Sequence, residues 1–209
     1  MSKSVFQYLK DSLPSQNIAD TYSSHTFVAV ETDSGCGIAM NMYGDASLEM
    51  AKINAFYNVG NDYYEPYENF CTDGIDFDGK TVGVIGHMTG VSRRYGDIAK
   101  KIHIFDFNPQ GDDLSADMED EILPSCDIVV ITGSAIINET VDHILELSEK
   151  AIKIIVGPSV PKCPELLDFG FDRLSGMVVS DTDKMRQHIK EDLPGSPYYF
   201  GTPFMIKKR

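Results

Sequence analysis

The chain has no C-x-x-C pair, no long basic run and no apolar stretch approaching the roughly 18 residues of a membrane span. Each absence removes a class of protein. Its 4 cysteines (Cys36, Cys71, Cys126 and Cys163) are too scattered for a disulfide scaffold, and nothing at the N-terminus resembles a signal peptide. A cytoplasmic protein with reduced thiols is therefore expected. Without a basic run, nucleic acid is a poor partner, and without an apolar span so is a membrane. No internal repeat or low-complexity tract is present. There is no G-x-S-x-G elbow either, so serine-hydrolase chemistry fits badly.

Negative charge is what the chain has in excess. The net charge is −14, and residues 1–79 carry 12 Asp and Glu against 3 Lys and Arg, while residues 80–209 carry 20 against 15. Such an acidic N-terminal third repels polyanions and attracts cations or basic partners. A length of 209 residues can bury a substantial core, as one large domain or two small ones.

The texture of the sequence changes once along the chain. Residues 4–13 read as a short helix stopped by Pro14. Two β-prone runs, 25–32 and 36–42, flank Asp33-Ser-Gly, which is good hairpin chemistry. Gly44-Asp45 then introduces a helix to about Asn58, with Asp45 as its expected N-cap. Residues 61–79 are rich in Asp, Glu, Tyr and Gly without periodicity and read as a linker. From Lys80 onward, strands are expected at 81–85, 102–107, 127–132, 153–157 and 173–179. Helices are expected at about 91–100, 139–150, 164–169 and 182–191. Short apolar strands alternating with helices imply an α/β protein with a parallel, doubly wound sheet. The tail, with Tyr198, Tyr199, Phe200 and Phe204, is expected to pack. The division this suggests is a small α+β domain over 1–75 and an α/β domain over 76–209.

Polar loops follow the expected strands on the edge where open parallel sheets bind ligands. After the first strand, Gly83, Gly86 and Gly90 loosely echo a dinucleotide-binding turn, and Asp106 closes the next strand where an acid would meet a ribose hydroxyl. That pattern suits a nucleotide or S-adenosyl ligand held by backbone N–H groups, although tight βα turns need glycine in any such fold. His87 follows directly and could serve as a metal ligand or an acid/base group. Asp112, Asp113, Glu139 and His143 are further candidate ligands, the last two four apart on the expected helix. Cys163, in Gly157-Pro-Ser-Val-Pro-Lys-Cys-Pro, precedes a helix whose N-terminus would favour thiolate. Thr132, Gly133 and Ser134 stand beside Pro158 and Ser159, a cluster suited to an anionic group, with Asn138 as a natural N-cap. Asn54 and Asn58 share one helix face and could reach a cleft between the two domains.

Three blocks carry a resemblance. The helix Ala51-Lys-Ile-Asn-Ala-Phe-Tyr-Asn, the run Leu123-Pro-Ser-Cys-Asp-Ile-Val-Val-Ile-Thr-Gly-Ser-Ala-Ile-Ile-Asn-Glu-Thr and the block beginning Val156-Gly-Pro-Ser-Val-Pro-Lys-Cys-Pro resemble the prokaryotic family labelled "Putative heavy-metal chelation", whose function is unknown. The resemblance implies an N-terminal domain like that of enolase, a Rossmann-like domain, and a site in the cleft between them. It places motif positions on Asn54, Gly86, His87, the Pro109, Gly111 and Asp112 loop, Thr132, Gly133, Asn138, Gly157, Pro158 and Ser159. The His-Met-Thr-Gly loop after Gly86, and Cys163, depart from the family pattern.

Two functional readings follow, with a blander third. In the first, His87, Asp106 and Cys163 supply donors to a transition metal (Zn, Ni, Co or Fe) or to a small metal-chelating ligand, while the Thr132–Ser134 and Pro158–Ser159 loops orient an anionic group. In the second, Gly86, Gly90 and Asp106 hold a nucleotide or S-adenosyl cofactor of a small-molecule enzyme. The third is a metal-free, dimeric binding module.

Overall fold

A computed structural model of the chain describes residues 3–60 and 72–208. It is a mixed α/β structure with a small antiparallel sheet and a larger, mostly parallel one. The first helix, α1 (Val5–Asp11), begins at Ser4, whose hydroxyl accepts from the Gln7 amide at 3.2 Å, and it buries Val5, Phe6 and Leu9. The small sheet follows as β1 (Ile18–Ser23), β2 (Phe27–Thr32) and β3 (Cys36–Met40), paired in that order. The expected hairpin joins β2 to β3, and the Thr32 hydroxyl accepts from the amides of Ser34 and Gly35. The strand β1 escaped the sequence reading because only Tyr22 of its six residues is buried.

Helix α2 (Asp45–Tyr57) packs directly on β3. A Cβ on Gly37 would lie 2.1 Å from the Ala55 amide nitrogen, so only glycine permits this approach. Asp45 is not the N-cap: Gly44 occupies that position, and Asp45 stands inside the first turn. The turn is held instead by the Ser47 hydroxyl, which accepts from the amides of Met42 and Tyr43.

The larger sheet contains β4 (Thr81–Ile85), β5 (Lys101–Asp106), β6 (Leu114–Ser115), β7 (Ile128–Thr132), β8 (Ile152–Val156), β9 (Arg173–Val179) and β10 (Gly201–Lys207). Its spatial order is β10-β9-β8-β7-β4-β5-β6. The chain runs outward from β4 through β6, returns to the other side of β4 as β7, and continues to β9. Only β10 is antiparallel, on the outer edge of β9. The tail therefore packs as expected through Phe200 and Phe204, while Tyr198 and Tyr199 stay exposed. Helices α3 (Thr89–Tyr95), α4 (Glu119–Ile122), α5 (Ser134–Ile137), α6 (Val141–Leu147) and α7 (Thr182–Lys190) fill the connections. The segment 164–169 is a 3-10 helix. No helix among the described residues is long and apolar enough to cross a membrane.

Burial on both faces explains the unbroken apolar run of β7. Ile128 and Val130 join a cluster with Val82, Val84, Val91 and Phe77 on one face. Val129 and Ile131 join the main core on the other. That main core also takes in Val5, Val28, Val30, Met50 and Ile53, so the small sheet and α2 share it with the large sheet. The opposite face of β2, through Phe27 and Ala29, packs with Met177, Met185, Ile189 and Phe200.

Two buried asparagines fasten α2 to β3, to β9 and to the loop after β8. Asn58 Nδ2 donates to the carbonyls of Val160 and Met177 at 3.1 and 3.0 Å, and its Oδ1 accepts from the Lys162 amide at 2.6 Å. Asn54 Nδ2 donates to the carbonyls of Ile38 and Pro158 at 2.8 and 3.3 Å. The loop after β8 is thereby fixed in place. Of the expected linker 61–79, residues 61–71 lie outside the described residues.

Candidate functional site

The chain reverses its direction across the sheet between β4 and β7, and a crevice opens at the carboxyl ends of the strands there, as it does in open α/β sheets. A cavity of about 790 Å³ occupies this place, between the turns after β4, β5, β7 and β8 and the end of β3. Its walls include Met40, Met42, Met88, Phe105, Phe107 and Tyr43, and its polar positions include His87, Asp106, Glu119, Thr132, Ser134 and Asn138.

His87 is held at both ends. Its amide donates to Asp106 Oδ2 at 2.9 Å, and its ring Nδ1 lies 2.6 Å from Asp113 Oδ2. The other oxygen of Asp106 accepts from the Asn108 amide at 2.8 Å, so this carboxylate ties the β4 turn to the β5 turn. Asp113 also accepts from the Gln110 amide at 3.1 Å. Burial works to raise the Asp113 pKa, but the hydrogen bonds from His87 and Gln110 prevail and hold it below the usual carboxylate value.

The glycines of the site serve the turns. Gly86 has φ +94°, and a Cβ there would meet Thr132 Cγ2 at 3.1 Å. Its amide donates to the Phe105 carbonyl, the Gly133 amide to Val156 and the Gly157 amide to Ser175. These three N–H groups are thus occupied by the protein's own carbonyls and are not free for an anion. Ser134 N lies 3.4 Å from Thr132 Oγ1, and Ser159 Oγ accepts from the Met40 amide at 3.0 Å. Asn138 is not the cap of the following helix. Glu139 takes φ +61°, and α6 starts only at Val141. Asn138 Oδ1 instead accepts from the Thr140 amide and hydroxyl, and its Nδ2 donates to the Tyr43 hydroxyl at 3.2 Å.

The structure brings Gly86, His87, Asp106, Thr132, Gly133, Ser134, Asn138, Pro158 and Ser159 around this one cavity. Gly90, Asn54 and Cys163 are not among the cavity walls. Gly90 sits within α3, and Asn54 is fully buried between Ile38 and Pro158, its Oδ1 without a donor among the described residues. Cys163 is also fully buried and donates to Glu165 at 3.2 Å. Burial, and then the Glu165 contact, push its thiol up to about 12, the reverse of the thiolate expected from a helix N-terminus. Iodoacetamide should therefore leave Cys163 unmodified in the native protein and label it after unfolding, as read by peptide mass mapping. Native labelling would refute that burial.

Among the described residues no three His, Cys, Asp or Glu side chains stand close enough to hold a metal ion. Cys163 is not among the walls of the cavity that His87 and Asp106 line, so the three do not stand together there as one donor set. His143 pairs with Asp120 at 2.7 Å, not with Glu139. Among the described residues, a resident ion held by protein side chains does not fit this arrangement.

The sequence reading missed Glu119 and Tyr43. Tyr43 gives no signal outside its fold. Glu119 is one of several acids at 117–121, and only the turn of the chain after β6 points it at the cavity. Burial pushes its carboxyl up to about 7 from 4.5, opposed by His143 and reinforced by Asp120. A raised carboxyl pKa means stability that is complete below about 4.5 and is lost as pH rises through about 7. Wild type minus Glu119→Gln should show that loss in denaturation midpoints between pH 5 and 8. A flat difference would place Glu119 in water.

Sequence and structure comparisons agree with one another. The family described as "Putative heavy-metal chelation", DUF364, matches residues 74–202. A DUF364 protein of unknown function from Desulfitobacterium hafniense has a similar fold, with a TM-score of 0.87 and 24% identity over 98% of this chain and 97% of that one. Another, from Pyrococcus horikoshii, gives a TM-score of 0.77 and 23% identity over 97% and 98%. An uncharacterized protein from Methanocaldococcus jannaschii is 29% identical in an alignment of 157 positions that covers 70% of this chain and 59% of that protein's length.

Proposed function

The chain belongs to the DUF364 family, and from that premise we propose that it binds a small organic ligand in the cavity between β4 and β7, any heavy metal entering as that ligand's complex. The cavity carries this reading. About 790 Å³ lies within the range of small-molecule sites, and mostly apolar walls with a few convergent polar groups are what such sites present. A bare ion would need three or four converging protein donors. An organic chelator brings its own donors, so the protein need only recognise the organic part.

In this reading Met40, Met88, Phe105 and Phe107 cover the apolar surface of the ligand. Thr132, Ser134 and the Tyr43–Asn138 pair orient its polar groups. A nucleotide or S-adenosyl ligand is the second reading, and the position of Asp106 at the end of β5 favours it. Native mass spectrometry of protein purified without tag or chelator tests both. The expected result is an organic mass released on denaturation, with any metal leaving alongside it. Stoichiometric metal without an organic mass would overturn the proposal.

A further inference from the structure

His87 and Glu119 reach the cavity from different elements, the turn after β4 and the start of α4. A carboxylate only accepts, so the 2.6 Å contact with Asp113 places a hydrogen on Nδ1 of His87. The lone pair of the neutral ring is then on Nε2. Asp113 is itself held by the Gln110 amide, and the His87 backbone by Asp106, so the imidazole is positioned from both sides. This is how a general base is oriented. Glu119 shares the cavity with His87 and Asp106 and titrates against His143 and Asp120. Partial burial raises its carboxyl pKa to about 7, so the acid form that can give up a proton persists to higher pH than in an ordinary glutamate.

From this juxtaposition we propose that the cavity is a proton-transfer site: His87 Nε2 removes a proton from a small, largely apolar organic substrate, and Glu119 returns one at a second position. The substrate class is a molecule with an acidic C–H, N–H or O–H conjugated to an acceptor atom. The electron pair of the broken bond moves through the conjugated system to that acceptor, where the Glu119 proton is added. The net change is displacement of one proton, without oxidation or reduction. His87 then loses its proton to solvent and Glu119 regains one. Asp113 is a positioning residue. The proposal rests on the reading of the cavity as a small-molecule site.

The test uses 5-nitrobenzisoxazole, whose ring opens when a base removes its single acidic C–H proton. The N–O bond breaks, and a coloured cyanonitrophenolate leaves with no other reactant. Wild type should turn it over saturably, and His87→Ala should lower kcat/KM by about 100-fold or more. Asp113→Asn should lower kcat more than KM and weaken the Nδ1–H tautomer signature in the His87 nitrogen spectrum. A purely structural Asp113 would alter none of these beyond stability. Glu119→Gln should abolish the fall in rate as Glu119 ionises. No turnover in wild type, or equal turnover in His87→Ala, would overturn the proposal. An organic ligand still retained by His87→Ala in native mass spectrometry would leave the binding reading standing on its own.

Discussion

Asn58→Ala is expected to lower the unfolding free energy by about 3–5 kcal/mol, because it strands three buried backbone groups at once. The carbonyls of Val160 and Met177 lose their donor and the Lys162 amide loses its acceptor. Asn58 is only 3% exposed, so water has little access to replace them. The three groups lie on β9 and on the loop following β8, and the damage should spread to the cavity wall at Pro158 and Ser159. Urea denaturation checks this through a lower midpoint at unchanged slope. Asn58→Asp should be comparably harmful, since a carboxylate would face two carbonyls. A loss below about 1 kcal/mol would mean that these groups find other partners.

Asp106→Asn should produce the second large effect, on both stability and binding. An amide offers one acceptor oxygen where the carboxylate gives two, so either the His87 or the Asn108 amide loses its partner. A cost of about 1–3 kcal/mol follows, with the His87 turn loosened. The same variant separates the two ligand readings. Under the organic-ligand reading, S-adenosylmethionine and NAD bind neither wild type nor variant in calorimetry. Micromolar binding of either by wild type, lost in Asp106→Asn, would transfer the assignment to the nucleotide or S-adenosyl reading.

Much of the large sheet was legible because its central strands, β4, β7, β8 and β9, are largely buried. Ile128-Val-Val-Ile could be nothing else between two layers, and β4 and β9 fall where the apolar runs place them. The ends of elements were less legible. Asp45 and Asn138 both have cap chemistry, yet the positive φ of Gly44 and Glu139 sets where the helices begin. Edge elements carry little periodicity, which hid β1, and the two-residue β6 is too short to leave a pattern.

The site was legible as a place more than as a set of roles. Turns after parallel strands located His87, Asp106, Thr132 and Ser134 around one cavity. Spacing could not tell that Asp113 turns inward to His87, that Glu119 faces the same space or that Cys163 is sealed beneath the loop. Asn54 and Asn58 do reach the loop after β8, but as buried fasteners.

The most direct measurement is a crystal structure of the untagged protein, with anomalous data collected above the metal absorption edges. The expected result is density for an organic molecule between Met88, Phe105 and Tyr43, in contact with His87 Nε2. Any anomalous peak should lie within that molecule. An anomalous peak coordinated by three or more protein side chains, with only solvent in the cavity, would contradict this account of the site.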